Sequence, residues 1–169
     1  MPEFLDIVDE YNNVIGKEER GAAHEKGHIH RSVGILVFRD KTYTELAIQK
    51  RGKTLKSAPG KWADVAGHVP AGMTPIDAAR MELEEEMFHE TRAPKLELEE
   101  LFTLLKEEDD DPEFRTMFRT VYDGYFSIQP GEVDEWKWIP LAELARDMAA
   151  HPGKYSGTFQ RVMGRYNNG

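Results

Sequence analysis

Gly67-His68-Val69-Pro70-Ala71-Gly72, followed by a segment that ends in Glu82-Leu83-Glu84-Glu85-Glu86, is the stretch that decides the fold of this chain. Thr74 is a favoured N-cap residue and Pro75 suits the first helical position, so the pattern predicts a glycine loop that leads into a helix. Four apolar residues recur at helical spacing and are expected to face the core: Ile76, Ala79, Leu83 and Met87.

Three carboxylates share one face of this predicted helix. Residues three and four apart are neighbours on a helix, so Glu82 lies beside both Glu85 and Glu86. Clustered carboxylates repel one another until a hard cation such as Mg2+ (or Mn2+) binds, and such a cation usually keeps phosphate oxygens among its ligands. The pattern therefore indicates a metal-dependent enzyme that acts on a small phosphorylated compound. The alternative is a plain solvated helix face, because like-charge pairs at this spacing cost only about 0.2–0.5 kcal/mol each.

Length and composition restrict the classes of protein. The chain has 169 residues, of which 40% are hydrophobic, and it carries a net charge of −9. This predicts one domain over residues 1–169 and disfavours binding to nucleic acid or to anionic membranes, which needs basic patches. The sequence contains no cysteine, which excludes disulfides, thiolate zinc sites and cysteine nucleophiles. It has no apolar run of about 18 residues and no signal peptide, so a cytoplasmic location is expected.

Strand-like and helical segments alternate along the chain. Residues 107–112 are acidic and are predicted to form a solvated loop, and residues 17–29 give no clear prediction. Strands are predicted at 4–8, 14–16, 32–38, 45–51, 62–66, 96–105 and 116–128, and further helices at 140–151 and 157–166. Interleaved strands and helices favour an α/β domain with a mixed sheet.

The loop and helix at 67–89 resemble the signature of the Nudix hydrolases, G-x5-E-x7-R-E-U-x-E-E-x-G-U, where U is a bulky apolar residue. Five positions are in register: Gly67, Glu82, Leu83, Glu85 and Glu86. Pro59-Gly60-Lys61-Trp62 precedes them at the family's spacing. The resemblance implies an α/β/α sandwich in which the signature helix packs on a mixed sheet.

Four positions depart from the signature: Met73, Met81, Phe88 and His89. In the family the residues at positions 73 and 81 are Glu and Arg, which pair with each other. Replacing both partners of such a pair by apolar groups can be neutral, so we expect Met73 to pack against Met81 and to preserve the loop. Phe88 stands where a glycine usually ends the helix, so an irregular helix end is expected.

The N-terminal half of the chain, which begins with an extension at residues 1–29, is similar to the branch of the family that includes isopentenyl-diphosphate isomerases. Arg20, His24 and the pair His30-Arg31 belong to this similarity. In those isomerases, histidines from the equivalent regions bind a metal together with nearby carboxylates. The resemblance thus makes His24, His30 and His68 candidates for a second metal site.

The family resemblance implies Mg2+-dependent hydrolysis of a nucleoside diphosphate linked to another group. Metal binding is then expected from Glu82, Glu85 and Glu86, and general-base catalysis from Glu85 or Glu86. Arg51 and Lys56, in the basic segment before Pro59, are candidates for binding the distal phosphate. Five further carboxylates are open as alternative bases: Glu107, Glu108, Asp109, Glu132 and Glu135.

Two other functions are alternatives. The departures from the signature are also typical of a non-catalytic nucleotide-binding module. An isopentenyl-diphosphate isomerase needs a cysteine just before Gly67, where this chain has Ala66. The sequence leaves the substrate and the oligomeric state open, and dimers are frequent among Nudix relatives.

Overall fold

The computed structural model of the protein describes residues 1–107 and 111–169 and shows an α/β architecture. A single 3-10 turn at Pro152–Lys154 separates the last two helices. The strands are β1 (Phe4–Val8), β2 (Val14–Glu19), β3 (His30–Phe38), β4 (Glu45–Arg51), β5 (Trp62–Ala63), β6 (Val65–His68), β7 (Glu99–Lys106), β8 (Glu113–Val121) and β9 (Val133–Pro140), and the helices are α1 (Arg20–Glu25), α2 (Pro75–Met87), α3 (Leu141–Ala150) and α4 (Gly157–Asn167).

The central sheet is mixed, as the sequence predicts. Its main path runs β5-β4-β3-β8-β7, with β3 and β8 parallel and the other neighbours antiparallel. The first half of β3 also pairs with β6, and β4 also pairs with β9. Since β3 is paired along both edges, its nine residues are almost all buried.

Helices cover both faces of this sheet. Successive side chains of a strand point to opposite faces, so alternate residues of β3 enter two different cores. Val33 and Ile35 pack with Leu83 of α2. On the other face, Leu36 packs with Leu144 of α3 and Phe159 of α4. The predicted α/β/α sandwich is therefore confirmed.

The N-terminal residues form a separate hairpin that contacts the glycine loop. Strands β1 and β2 pair antiparallel with each other. The carbonyl oxygen of Phe4 accepts a hydrogen bond from the amide of Ala71 at 2.8 Å, and the carboxylate of Asp6 accepts one from the amide of Gly72 at 3.0 Å. Gly72 has a φ of 79°, a conformation that glycine adopts without strain. The extension thus fixes the loop that leads into α2.

Helix α2 begins where the sequence predicts. The hydroxyl of Thr74 accepts a hydrogen bond from the amide of Asp77 at 3.3 Å. Ala79, Leu83 and Met87 are buried as expected. The prediction for Ile76 was wrong, since its side chain is 36% exposed and Ala78 is buried instead. Ile76 lies in the first turn of α2, on the side of the helix that faces solvent.

The C-terminal end of α2 needs no glycine. The helix ends at Met87, and Phe88 follows with a φ of −129°, outside the left-handed region. The carbonyl oxygens of Glu86 and Met87 accept hydrogen bonds from the amides of Gln129 and Ser127, each at 3.0 Å. These bonds from a neighbouring segment satisfy groups that a glycine turn otherwise caps. At the other departure, Met73 packs against the core beside α2, while its contact with Met81 stays a prediction.

The remaining strand predictions differ from the structure mainly at their ends. Strand β8 ends at Val121 rather than near residue 128, because the hydroxyl of Tyr122 donates to the carbonyl of Tyr125 in a turn. Six residues, Arg20–Glu25, form a helix that the sequence did not indicate, since only Ala23 is buried and so short a segment has no periodicity. Residues 108–110 of the predicted acidic loop lie outside the described residues. Across the described ranges, every helix is too short or too polar to cross a bilayer.

Replacing Phe88 by alanine tests the way α2 ends. Phe88 is 3% exposed, and its ring contacts those of Tyr122 and Phe126 at centroid distances of 5.1 and 5.7 Å. We expect Phe88→Ala to lower the free energy of unfolding by about 3–5 kcal/mol, as for other buried phenylalanines. Tyr125→Ala, at a side chain that is 89% exposed, is the control for urea denaturation. Equal stabilities of the two variants would contradict this view of the helix end.

Candidate functional site

Gly67 lies where α2 meets the sheet. In the antiparallel register of β3 and β6, Gly67 is opposite Val33 and His68 is opposite Ser32. Side chains alternate along a strand, so position 67 faces α2 and His68 faces the other side. A Cβ atom on Gly67 would overlap the carboxyl group of Glu82. The carboxyl group of Glu82 therefore packs directly on the backbone of β6, the strand that carries His68.

The three helix residues Glu82, Glu85 and Glu86 form what we call the carboxylate cluster. Glu86 is buried, and the side-chain amide of Gln49 donates a hydrogen bond of 2.6 Å to its carboxylate. Glu85 is exposed at the rim. The structure thus brings the three predicted metal ligands to one side of α2, with one fixed from the sheet.

Two members of this cluster, Glu82 and Glu86, have raised pKa values. Burial, and then the charges of Glu86 and Glu85, raise the pKa of Glu82 to about 8. Burial also raises the pKa of Glu86 to about 7, although the hydrogen bond from Gln49 and the charge of Arg51 oppose this shift. A bound cation would relieve both effects, since an opposite charge favours the ionised form.

A second set of ligand atoms lies on the other side of Gly67. We call His24, His30, His68, Asp111 and Glu113 the histidine cluster. The ligand atoms of its three histidines lie within 4.8 Å of one another, as do those of His30, Asp111 and Glu113. His24 contacts two other members of the cluster. Its Nε2 atom lies 3.1 Å from the Nε2 of His68, and its Nδ1 atom lies 2.6 Å from the carboxylate of Asp111.

His30 indicates what this cluster is built to hold. Its side chain is fully buried, and Nδ1 lies 3.0 Å from the carbonyl oxygen of His28, which only accepts hydrogen bonds. Nδ1 must therefore carry the proton, which leaves Nε2 of a neutral ring as an acceptor. That Nε2 has no hydrogen-bond partner and lies 3.7 Å from Glu113 and 3.8 Å from Asp111. A divalent cation fits this convergence of acceptors, and a histidine that donates its other N–H to a carbonyl is typical of metal ligands.

His68 is held in the neutral form that metal binding requires. Burial, followed by the positive charge of Arg20, lowers the pKa of His68 to about 2. The neutral ring offers a lone pair to a cation at any pH near neutrality. The structure thus brings together the three histidines that the family resemblance singled out and adds two carboxylates to them.

Arg51 and Lys56, the candidate substrate-binding residues, differ in their position and exposure. Arg51 donates from Nε to the carbonyl of Ser57 at 2.9 Å, and its charge lowers the pKa of Glu86, so it lies near the carboxylate cluster. Lys56 is exposed on the loop that follows. Arg20, which forms an ion pair with Glu3 at 3.0 Å, lowers the pKa of both Glu82 and His68. Arg20 therefore lies between the two clusters.

The alternative bases are separated by their positions. The charge of Glu132 raises the pKa of Glu86, which places Glu132 near the carboxylate cluster. Glu135 instead pairs with Lys50 at 3.5 Å. Glu107 lines an open cavity of about 420 Å3 beside His24. Glu108 and Asp109 lie outside the described residues.

Sequence reasoning missed Asp111 and Glu113 as candidate metal ligands and Gln49 as the partner of Glu86. The two acidic residues belong to or follow a run that indicates a solvated loop. A signal was present, since residues two apart at the start of a strand share a face, and the parallel register places Glu113 opposite His30. Gln49 is polar within a buried strand, which is itself a sign of a specific hydrogen bond.

Comparison of the sequence with known proteins identifies its family. A family profile described as NUDIX domain matches residues 28–158. Isopentenyl-diphosphate Delta-isomerase 2 of Aromatoleum aromaticum is 31% identical over 162 residues, which span 92% of this chain and 82% of that protein. Nudix hydrolase 3 of Arabidopsis thaliana is 30% identical over 90% of this chain, a match that spans 21% of the plant protein.

Comparison of the structure supports the fold. The crystal structure of DR0079 from Deinococcus radiodurans superposes with a TM-score of 0.80 and covers 96% of this chain and 98% of that one. The two sequences are 20% identical, so this similarity concerns the fold alone.

Substituting Gly67 tests whether the bare backbone positions Glu82. In Gly67→Ala the new methyl group displaces the Glu82 carboxylate, which is the flexible end of its side chain, so the fold is retained. We expect affinity for Mn2+, measured by electron paramagnetic resonance, to fall about tenfold or more because ligand orientation is lost. Gly16→Ala, where a Cβ meets no atom within 4 Å, is the matched control. Unchanged affinity in Gly67→Ala would refute the role assigned to this glycine.

The raised pKa of Glu82 predicts a pH-dependent stability difference. Its carboxyl shifts from a pKa of 4.5 to about 8 on folding, so the metal-free folded protein loses stability as the pH rises through that interval. Glu82→Gln removes this loss. We expect its melting temperature without metal to exceed that of wild type at pH 8 and to approach it below pH 4.5. Glu84→Gln, at an exposed neighbour, is the control. A difference in melting temperature between Glu82→Gln and wild type that does not change with pH would contradict the raised pKa of Glu82.

Proposed function

This chain belongs to the NUDIX domain family, and from that membership we propose that it is a Mg2+-dependent hydrolase. Its substrate is a nucleoside diphosphate linked to another group, and the bond cleaved is the diphosphate. The observation that carries the proposal is the carboxylate cluster, whose three members are all retained and whose first member, Glu82, packs on Gly67. We also propose that residues 1–29 belong to the same domain, since their hairpin contacts the glycine loop.

The residues that would hold the cation are Glu82, Glu85 and Glu86. Members of the family generally use divalent cations such as Mg2+ or Mn2+. When bound, the cation would offset the charge of the diphosphate and lower the pKa of a bound water. The raised pKa values of Glu82 and Glu86 support this assignment, because the folded protein disfavours their ionised forms until an opposite charge is present.

The basic side chains around the carboxylate cluster would bind the substrate phosphates. Arg51 lies near Glu86, and a guanidinium group can donate two parallel hydrogen bonds to phosphate oxygens. Arg20 stands between the two clusters and would do the same from the other side. Lys56, being exposed, would meet the end of the substrate that extends into solvent.

The reaction requires a base for the attacking water. The water oxygen forms a bond to one phosphorus, and one proton of the water passes to a carboxylate. The bridging P–O bond breaks, and its electron pair passes to the leaving phosphate. Of the two predicted bases, Glu86 is the better placed, because Gln49 fixes its orientation while Glu85 is exposed.

Isopentenyl-diphosphate isomerisation is the second candidate function. It is favoured by the histidine cluster, which the family resemblance connects with those isomerases, and by the name of the relative from Aromatoleum aromaticum. Against it, position 66 is alanine and the sequence contains no cysteine. The small side chain of Ala66 supplies no group that transfers a proton.

Hydrolysis is tested by phosphate release from a panel of nucleoside diphosphate derivatives with Mg2+, after treatment with a coupled phosphatase. We expect turnover that requires the metal, and a loss of about a hundredfold or more in kcat/KM for Glu82→Gln and for Glu86→Gln, since charge stabilisation by a metal contributes several kcal/mol. Glu84→Gln, on the opposite side of the same helix, should retain the wild-type rate.

Other outcomes point elsewhere. Metal-dependent turnover that is unchanged in Glu82→Gln and Glu86→Gln would overturn the site assignment. Conversion of isopentenyl diphosphate to its allylic isomer, followed by nuclear magnetic resonance, would establish the second candidate. Tight nucleotide binding without turnover of any compound would instead indicate the non-catalytic binding module.

A further inference from the structure

We propose that Asp64 and Arg115 form a buried pair of positioning residues that orients Glu113 within the histidine cluster. The inference rests on the histidine cluster holding a divalent cation, which its converging ligand atoms suit, and assigns a role to two residues outside that cluster. Neither residue belongs to the loop–helix signature, and Arg115 lies on β8, two residues after Glu113.

The three side chains form a chain of ionic contacts. Arg115 Nη1 lies 3.6 Å from the carboxylate of Asp64, and its Nε lies 3.6 Å from the carboxylate of Glu113. The same Nε lies 3.4 Å from the hydroxyl of Ser32. The side chains of Asp64, Glu113 and Arg115 are only 1, 8 and 11% exposed, so these contacts are largely protected from solvent.

The sheet register brings Arg115 to the same side as the histidines. In the parallel pairing of β3 and β8, His30 is opposite Glu113 and Ser32 is opposite Arg115. Ser32 is also opposite His68 on β6. Arg115 is therefore attached level with His68 and two residues after Glu113, on the same face of the sheet.

Small residues make room for the pair. Gly34 is opposite Ala66 in the register of β3 and β6. A Cβ atom on Gly34 would come within 2.6 Å of both the Asp64 carboxylate and the sulfur of Met117. Ala66 stands where an isomerase would have its cysteine. The residue opposite it, Gly34, leaves room for the buried carboxylate of Asp64.

Charge explains why the pair has two members. An arginine beside a metal ligand holds that ligand in place but also repels the cation. Burial raises the pKa of Asp64, while the charge of Arg115 opposes that shift and favours the ionised carboxylate. When ionised, Asp64 offsets the charge of Arg115, so Glu113 is oriented without a net positive neighbour. The second oxygen of Asp64 is buried and has no hydrogen-bond partner, which is unusual for a carboxylate with a purely structural role.

Asp64 also contacts the side of the site that holds the carboxylate cluster. The amide of Gln49 lies 3.3 Å from the backbone oxygen of Asp64 and 2.6 Å from the carboxylate of Glu86. The residue that balances Arg115 is therefore joined by its backbone to the partner of Glu86. A displacement of Asp64 would affect both clusters.

The test separates positioning from stability. Breaking a buried ion pair by removing one partner destabilises a protein, whereas replacing both partners is often neutral. The double variant Asp64→Asn/Arg115→Met isolates neither member of the pair, but Glu113 loses its contact with Arg115, so the variant should unfold at a lower denaturant concentration than wild type and remain folded without denaturant. We expect its affinity for Co2+, followed by visible absorption of the metal-free protein titrated with the ion, to be about 10–100-fold lower than wild type, the usual effect of removing a partner of a metal ligand.

Three reference variants give each result a meaning. His68→Gln should abolish the Co2+ band and so assign it to the histidine cluster. Arg119→Met, on the same strand but paired with Glu99, should bind Co2+ as wild type does. Arg115→Lys keeps a charge for Asp64 but loses the Nε that faces Glu113, and it should bind Co2+ more weakly even if the double variant fails to fold.

Wild-type affinity in the double variant, or in Arg115→Lys where the double variant does not fold, would overturn the positioning role. Absence of any Co2+ band in wild type would overturn the metal site in the histidine cluster and this inference with it. Phosphate release with Mg2+ tests hydrolysis at the carboxylate cluster separately, so the two failures are distinguishable.

Discussion

The absence of a side chain at Gly67 is the constraint on which the site depends. It lets the Glu82 carboxyl rest on the backbone of β6, so that α2 approaches the sheet closely enough for Gln49 to reach Glu86. The neighbouring residue on the same strand, His68, faces the other side and joins the histidine cluster. One strand therefore separates two sets of ligands, and the N-terminal hairpin fixes the loop that follows it.

Electrostatic repulsion within each set defines what the fold is suited to bind. In the carboxylate cluster the pKa values of Glu82 and Glu86 are raised, and in the histidine cluster the ligand atoms of three histidines and two carboxylates converge. Such arrangements are costly in a protein without a counter-charge. The two hydrophobic cores on either side of the sheet stabilise the scaffold that holds them. The basic residues Arg20 and Arg51 near these clusters would complement the anionic substrate proposed above.

The sequence predicted the parts of this structure that depend on local pattern. Helix α2, its cap at Thr74 and the shared face of its three carboxylates follow from spacing along one segment. The contributions of Asp111 and Glu113 depend on the parallel pairing of β3 with β8, which joins segments about 80 residues apart and leaves no local periodicity. The sequence shows, by Phe88, that the usual glycine is missing. Only the structure shows that residues 127 and 129 supply the hydrogen bonds instead.

We propose that one strand separates two cation sites, one made by carboxylates and one by histidines. Anomalous X-ray diffraction from crystals of the protein soaked in Mn2+ tests this proposal most directly. Two peaks are expected, one bonded to oxygens of Glu82, Glu85 or Glu86 and the other to nitrogens of His24, His30 and His68. A map with no peak at the helix carboxylates, at a Mn2+ concentration that supports turnover, would contradict it.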